Sequence, residues 1–398
     1  LLSGWLTGFG YLQAGDKVDR YAFIVGWHES QSSLVRKFVL YYYVQDEMVE
    51  MYDIQHHKTF LRRSYCETVK PTDLYIGNTI TVFARNLYIE DYADESTKNI
   101  LKSLTERTFA MIKPEAIKHM GQIFKFIVDN SLKITRAKMV QFSEEGVMKF
   151  YAEHSGKPFF KNLVSYMSSG PIIGLEILGK SAVKTWRTIL GPTDSEKAKV
   201  EAPSSLRARF GTDVTRNAAH GSDSAESAAR EILFFFRDAA SPNRDYYRPS
   251  ALLRNNTCCI LKPSAFNRNV LGDLIISIMD AGFDVTCMEI FNLDHQTSAD
   301  FLEVYKGVMP EYHSMVKELT SGPCVVLEIS SEVYGEETPV KFRELVGPHD
   351  PRVGKTLRPN SLRARFGKDK VDNAIHCSDL PQDGPLEVEY FFKILQSR

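Results

Sequence analysis

The chain carries almost no net charge. Its 49 lysines and arginines nearly match its 50 aspartates and glutamates, leaving −1 at neutral pH. That balance provides no bulk attraction to nucleic acid or to an anionic membrane. No apolar run approaches the roughly 18 residues that a membrane-spanning helix needs. The six cysteines, Cys66, Cys258, Cys259, Cys287, Cys324 and Cys377, form no C-x-x-C pair and no zinc spacing. Cys258 and Cys259 are adjacent on a predicted strand, so they point to opposite faces and should not bridge. Free thiols and a reducing compartment are expected. A G-x-x-x-x-G-K-[ST] loop is also missing, which excludes P-loop phosphate chemistry. His56-His57 has no further ligand residues at useful spacing and reads as a solvated loop pair. Leu1 to Gln13 is uncharged and shows neither a basic region nor a clear cleavage site, so secretion is not expected and residues 1–17 read as a tail.

What is present is enough apolar sequence, 43% over 398 residues, for about two to four domains with real cores. Residues 18–104 are β-rich. Tyr21 to Val25 reads as a strand, and Lys37 to Tyr43 with Met48 to Tyr52 reads as a hairpin. Gly77-Asn78 is a turn before strands at Thr79 to Arg85 and Leu87 to Asp91. A small β domain that binds another protein is the natural reading. Ala93 to Glu106 is polar and reads as a linker or short helix. From Arg107 the pattern becomes interleaved: a buried strand ending at Lys113, a helix over Gln122 to Asn130, a strand over Ile134 to Phe142, and a helix over Glu144 to Glu153 opened by Ser143. A further helix over Phe159 to Met167, a strand over Ile172 to Leu178, a helix over Ala182 to Leu190 capped by Ser181, and a helix over Ala225 to Phe236 follow. Such an order predicts a ferredoxin-like β-α-β-β-α-β unit with added helices.

The unit occurs twice. Cys259-Ile260-Leu261-Lys262-Pro263 echoes Met111-Ile112-Lys113-Pro114. Ser361 to Gly367 repeats Ser205 to Gly211 letter for letter. Asn373-Ala374-Ile375-His376-Cys377-Ser378-Asp379 echoes Asn217-Ala218-Ala219-His220-Gly221-Ser222-Asp223. Lys262 follows Lys113 by 149 positions and His376 follows His220 by 156, so the second copy carries small insertions. Arg237 to Asn256 reads as the linker between copies. The domains expected are a tail (1–17), a β domain (18–104), a first repeat (105–240), a linker (241–256) and a second repeat (257–398).

A histidine before a Gly-Ser turn, taken alone, is a surface residue in a polar turn. Its repetition and its company change that. With His220 the first copy holds Lys113, Tyr151, Phe159, Arg187, Thr193, Arg207 and Asn217. Two arginines, a lysine and a threonine suit phosphate oxygens, and Phe159 offers a face for a base. Phosphoryl transfer needs mainly positioning and charge stabilisation. Ser222 or a nearby carboxylate could fix the histidine tautomer.

Residues 107–236 resemble nucleoside diphosphate kinases along almost their whole length. The carriers are Met111-Ile112-Lys113-Pro114, Lys157-Pro158-Phe159-Phe160, Tyr166 to Pro171, Leu190-Gly191-Pro192-Thr193 and Arg216 to Ser224. The resemblance implies an α+β fold of two tandem ferredoxin-like kinase domains. It implies a ping-pong transfer of the γ-phosphoryl group through phospho-His220, with ATP or another nucleoside triphosphate as substrate and Mg²⁺ bound with it. It assigns Lys113, Tyr151, Arg187, Thr193, Arg207 and Asn217 to phosphate and ribose, Phe159 to the base, and Ser222 and Glu231 to orienting the histidine. No separate protein metal site is implied. Glu115 stands where the family usually has Asp, the segment between Thr193 and Arg207 is longer and loses a Pro-Gly, and Ala208-Arg209 replaces Gly-Asp. Lowered activity is therefore expected, and the family's hexamer is in question.

The second copy keeps Lys262, Arg343, Arg363, Asn373, His376 and Glu387 as remnants. The Tyr151 position reads as Leu302 or Glu303, the Phe159 position falls at or near Glu311, Thr193 becomes His349, and Gly221 becomes Cys377. A weak or inactive, mainly structural repeat is expected. The two repeats could pack as an internal pseudo-dimer. Residues 18–104 resemble a DM-ten domain, a module of ciliary proteins, on Lys37 to Tyr42, Glu47 to Asp53 and Asp73 to Asn78. That module before two kinase repeats resembles a tandem-repeat branch of the kinase family. It implies a cytoplasmic, cytoskeletal protein of the cilium or flagellum axoneme, inside doublet microtubules, with tubulin and other axonemal proteins as partners, and with ties to the γ-tubulin ring complex and centrosome. The alternatives are a mainly catalytic kinase at the centrosome or a purely structural scaffold with vestigial sites.

Overall fold

The structure, a computed structural model, describes residues 19–29, 34–83, 85–102, 104–236 and 246–397. The tail expected at 1–17 lies outside them. The chain divides into two compact units, Leu1–Thr105 and Glu106–Arg398.

In the first unit, strands β1 (Arg20–Glu29), β2 (Leu34–Tyr43), β3 (Met48–Asp53), β4 (Lys58–Tyr65), β5 (Thr79–Val82) and β6 (Arg85–Tyr92) form an antiparallel sheet of order β4-β3-β2-β1-β6-β5 among the described residues. β3 alternates buried and half-buried residues, which puts Val49 and Met51 on the core face with Phe23, Phe38 and Leu40. β4 has no such alternation because it is an edge strand with no fully buried residue, and sequence reading misses it. The strand expected over Thr79 to Arg85 stops at Val82, because Phe83 takes a left-handed φ of 45° and turns the chain. His56 is a turn residue. Its Nδ1 lies 3.0 Å from the buried Asp53 carboxylate, which also accepts from Arg36 at 2.7 Å. The polar segment after β6 forms helix α1 (Glu95–Leu101), capped by Asp94 through Thr97 N at 2.7 Å.

The second unit holds both repeats. The first contains β7 (Glu106–Ile112), α2 (Met120–Asp129), β8 (Lys133–Phe142), α3 (Glu144–Phe150), α4 (Phe160–Met167), β9 (Ile172–Gly179), α5 (Ala182–Leu190), α6 (Ser195–Glu201), α7 (Leu206–Phe210), β10 (Ala219–Gly221) and α8 (Ala225–Phe235). Ser143 caps α3 as expected, accepting from Gly146 N at 3.1 Å. Ser181 does not cap α5. It sits in a left-handed conformation with no side-chain bond, and the Glu106 carboxylate accepts from Val183 N at 3.2 Å instead. A half-buried carboxylate from strand β7 has replaced the local cap.

The linker is not structureless. Its described part carries β11 (Tyr247–Pro249), which pairs with β8, and Tyr246 O accepts from Ser143 N at 2.9 Å. Residues 237–245 of that segment lie outside the described residues. The second repeat then runs β12 (Asn256–Leu261), α9 (Pro263–Asn267), α10 (Leu271–Asp280), β13 (Asp284–Phe291), α11 (His295–Phe301), α12 (Tyr312–Leu319), β14 (Cys324–Ser330), α13 (Thr338–Val346), α14 (Pro351–Leu357), α15 (Leu362–Phe366), β15 (Ile375–Cys377) and α16 (Asp383–Glu389). Adjacent Cys258 and Cys259 enter different cores, and all six thiols are free.

The two repeats share one nine-stranded sheet, in the order β10-β7-β9-β8-β13-β14-β12-β15 with β11 beside β8. They meet at β8 and β13, where Lys138 pairs with Glu289 and their side chains lie 3.3 Å apart. Helices α2 and α10 cross over this seam. The crossing is close because Gly121 and Gly272 face it: a Cβ on Gly121 would lie 2.9 Å from Ile276 N, and one on Gly272 2.7 Å from Lys125 N. One core cluster runs through both repeats beneath these helices.

Candidate functional site

His220 sits at the centre of the three-residue strand β10, opposite Met111 of β7. The chain reaches it through Ala218, whose φ of +68° is left-handed and costs about 1–2 kcal/mol for a residue with a Cβ. Two bonds hold this kink: Ala218 N donates to the Glu115 carboxylate at 2.8 Å, and Lys113 N donates to Ala218 O at 2.9 Å. Glu115 therefore does the anchoring despite its extra methylene. After β10, Ser224 caps α8 through Ser227 N at 3.1 Å, and α8 brings Glu231 back over the histidine. His220 Nε2 lies 3.0 Å from the Glu231 carboxylate, and Ser222 Oγ donates to the same oxygen at 2.7 Å. Glu231 orients the ring directly and Ser222 acts through it. With Nε2 committed as a donor, the ring's lone pair is on Nδ1.

The cations expected at this histidine are gathered there. Arg207 donates to Gly191 O at 2.9 Å and to Ala219 O at 3.2 Å, and reaches Thr193 Oγ1 at 3.5 Å. Burial pushes its pKa down to about 10, and the nearby Arg187 charge adds to the shift. Lys113, buried, donates to Thr215 O at 2.8 Å. Burial drives its pKa down to about 8, opposed by Glu115 and reinforced by Arg207. No hydrogen bond or ion pair engages the exposed Arg187 among the described residues. Asn217 donates to Thr193 O and Val214 O, both at 3.0 Å. Three buried polar atoms, Tyr151 Oη, Arg207 Nε and Asn217 Oδ1, have no partner among the described residues. Buried polar groups are ordinarily satisfied, so this cluster marks a place where a polar ligand completes the bonding.

Aromatic contacts lead outward from the histidine. Tyr151 lies 5.8 Å from His220 edge-on, His154 stacks 6.0 Å from Tyr151, and Phe159 lies 5.8 Å from His154. Phe159 is 46% exposed, and Val214, three residues before Asn217, is 58% exposed. Val214 was not foreseen. Its only signal is a branched apolar residue in an otherwise polar loop.

The second repeat keeps the histidine dyad. His376 Nε2 lies 3.1 Å from Glu387, and Ser378 donates to that carboxylate at 2.9 Å. Ala374 has the same φ of +68° as Ala218. The surroundings differ in three linked ways. Leu302 ends α11 where Tyr151 ends α3, which settles the alternative in favour of Leu302 over Glu303. Glu311 precedes α12 as Phe159 precedes α4, and it pairs at 3.0 Å with Lys370, the counterpart of Val214. Asp379 pairs with Arg343 and accepts from Tyr305 Oη at 2.7 Å. Its counterpart Asp223 is held away by the Ser227 hydroxyl at 2.7 Å, and Ser227 is replaced by Asp383, which cannot donate when ionised.

Comparison with known families agrees with the geometry. The nucleoside diphosphate kinase family model matches residues 106–240 and 255–396. The chain belongs to this family. The DM10 domain model matches residues 10–97. Over its full length the chain is similar to Nucleoside diphosphate kinase homolog 7 of Rattus norvegicus, at 45% identity covering 97% of this chain and 96% of the relative, and to that of Mus musculus at 44% with the same coverage. Over 33% of its length it is 45% identical to Nucleoside diphosphate kinase of Aquifex aeolicus, covering 94% of that protein. As a nucleoside diphosphate kinase relative, the chain departs from single-domain members by its N-terminal DM10 domain and by fusing two kinase repeats into one sheet.

The donor set also bears on the cation. Among the described residues no cluster of three or more His, Cys, Asp or Glu side chains could hold a metal ion. Cationic and amide groups dominate, and they fit phosphate oxygens. A Mg²⁺ ion fits as one carried in by those phosphates, since Mg²⁺ is commonly held by substrate phosphates with few protein carboxylates.

Proposed function

We propose that the chain is a phosphotransferase that moves the γ-phosphoryl group of a nucleoside triphosphate to a nucleoside diphosphate through a phosphohistidine on His220. The observation that carries this reading is the histidine with Nε2 committed to Glu231, beside buried and unpartnered polar atoms of Tyr151, Arg207 and Asn217. His220 Nδ1 attacks the γ-phosphorus, an N–P bond forms, and the bond to the β,γ-bridging oxygen breaks. The diphosphate leaves with both electrons of that bond. A second diphosphate then takes the phosphoryl group by the reverse step. Glu231 stabilises the imidazolium character that develops on attack. Lys113, Arg187 and Arg207 stabilise the oxygens of the moving group. Bound Mg²⁺ would neutralise phosphate charge.

Incubation with γ-labelled ATP tests this reading. Acid-labile label on His220 is expected, and His220→Asn should abolish it, since loss of a nucleophile costs on the order of 10⁶ in rate in a well-measured hydrolase. A folded wild-type chain that takes up no label refutes it.

The setting proposed is the axoneme of a cilium or flagellum, inside doublet microtubules in contact with tubulin, with the γ-tubulin ring complex and centrosome as further associations. Its support is the N-terminal domain, which has its own core. In this reading the second repeat is mainly structural, supported by the Glu311–Lys370 and Arg343–Asp379 pairs. Deleting residues 18–104 should remove the protein from axonemes. Full retention would reject that role for the domain.

A further inference from the structure

We infer that the second repeat carries a separate site for a condensed phosphate chain, one that takes the phosphates without reading a base. A cavity of about 530 Å³ opens beside His376. Its polar side is made by Lys262, Arg343, Arg358, Arg363 and His349. Lys262 and Arg363 are buried, at 5% and 8% exposure. Among the described residues both are hydrogen-bonded only to carbonyls: Lys262 to Val371 O at 3.0 Å, Arg363 to Ile375 O and Gly347 O, each at 3.1 Å. Carbonyls take these hydrogen bonds, and no carboxylate forms an ion pair with either cation among the described residues. Glu318 and Asp372 near Lys262 and Asp379 near Arg363 offset only part of the charge, which favours an anion in the cavity. Two carboxylates also line it, but Asp379 is paired with Arg343 and Glu344 lies 3.5 Å from Lys341.

Compared with the first repeat, this cavity has gained groups that bind phosphate. Arg358 ends α14 where Ala202 ends α6, adding an exposed guanidinium at the rim. His349 replaces Thr193, and its Nε2 is buried without a partner among the described residues. What it has lost is the base slot. Phe159 and Val214 of the first repeat are exposed apolar side chains, suited to the two faces of a flat ring. Their counterparts Glu311 and Lys370 are joined at 3.0 Å, so the two walls touch and no ring can enter between them. The remaining apolar side, Met309, Met315, Leu319 and Val340, offers no donor or acceptor to a base edge. The ligand chemistry is therefore a run of phosphate oxygens, from an inorganic condensed phosphate or from the tail of a nucleotide whose base stays outside.

This inference borrows only the phosphate-facing roles of the first repeat and does not need His220 to react. The test uses the full chain with Phe159→Ala and Arg187→Ala, which disarms the first repeat at two exposed positions. Calorimetric titration with tripolyphosphate, ATP and adenosine is then compared. Tripolyphosphate and ATP should bind one site with affinities within about threefold of each other, because base stacking normally contributes tenfold or more. Adenosine should give no heat. Arg358→Ala, at an exposed position that the fold does not depend on, should weaken both ligands about tenfold. Replacing the ion pair by Glu311→Phe with Lys370→Val should open the slot and let ATP outbind tripolyphosphate about tenfold. ATP binding tenfold tighter than tripolyphosphate before that change, or no binding of either, overturns the inference. Labelling of His220 in the wild-type chain is scored separately, so failure here and failure of the kinase reading are distinguishable.

Discussion

Gly221 and Trp186 are predicted to be a coupled pair that sets the position of His220. An ideal Cβ on Gly221 would lie 2.5 Å from Trp186 Cδ1, 2.6 Å from Nε1 and 2.9 Å from Leu190 Cδ1. Trp186 is fully buried, and its Nε1 donates to His220 O at 3.1 Å, so it cannot move aside without breaking that bond. The second repeat solves the same problem differently: Cys377 takes the glycine position and Phe342 the tryptophan position, both buried. Gly221→Cys alone should therefore cost about 2–4 kcal/mol, the sum of overpacking and a lost hydrogen bond. Trp186→Phe alone should cost about 1–2 kcal/mol for lost volume and an unpaired carbonyl. Made together, the changes relieve each other, with a coupling of about 2 kcal/mol. Scanning calorimetry of the four proteins measures this, at about 2 °C in Tm per kcal/mol for a unit of this size. The rate of histidine labelling should fall with Gly221→Cys and recover in the double variant. A double variant that melts lower than Gly221→Cys by the full decrement of Trp186→Phe would refute the reasoning, because the two sites would then be independent.

The other predictions concern charge and the seam between repeats. Lys113 has its pKa lowered by burial from 10.5 to about 8, and bound phosphate favours its charged form. Above about pH 8, nucleotide binding must take up a proton, and Kd should rise by up to tenfold per pH unit, measured by titration in two buffers of different ionisation heat. A flat Kd between about pH 7 and 9.5 with no proton uptake contradicts this. The stability sign follows from the same shift: charged Lys113 opposes folding below about pH 8, and that opposition is relieved as pH rises toward 10.5, the unfolded value. Glu231→Gln keeps the bond to His220 but removes the charge, so labelling should slow about 10²-fold with nucleotide affinity unchanged. An equal loss of affinity would show a structural role instead. Gly121→Val should drive a side chain into Ile276, lower the melting temperature and split the transition of the fused repeats. An unchanged single transition would mean that the close helix crossing is not needed.

Much of the site was readable in the chain itself. The duplicated Asn-Ala-x-His segment marked where the candidate nucleophile lies. Arg207 and Arg363 fall in identical seven-residue runs, so their placement on matching helices follows from local pattern alone. The cap of α3 by Ser143 was also local, since cap and amide are three residues apart. The failed cap at Ser181 shows the limit: the competing acceptor, Glu106, lies 77 positions from the amide it binds. β4 escaped notice because an edge strand need not alternate.

Residue types and their order thus determined the repeat, the histidine and its cations, because those depend on short-range geometry and on chemistry that each side chain carries anywhere. Tertiary structure alone decided which groups face one another. It joined the repeats edge to edge at Lys138 and Glu289, 151 positions apart. It set Glu311 against Lys370 across 59 positions, turning two unremarkable surface charges into a closed base slot. It sent Asp379 to Arg343 once the serine that holds Asp223 became Asp383. Such pairings depend on distances of a few ångströms between segments remote in the chain, and no local pattern encodes those distances.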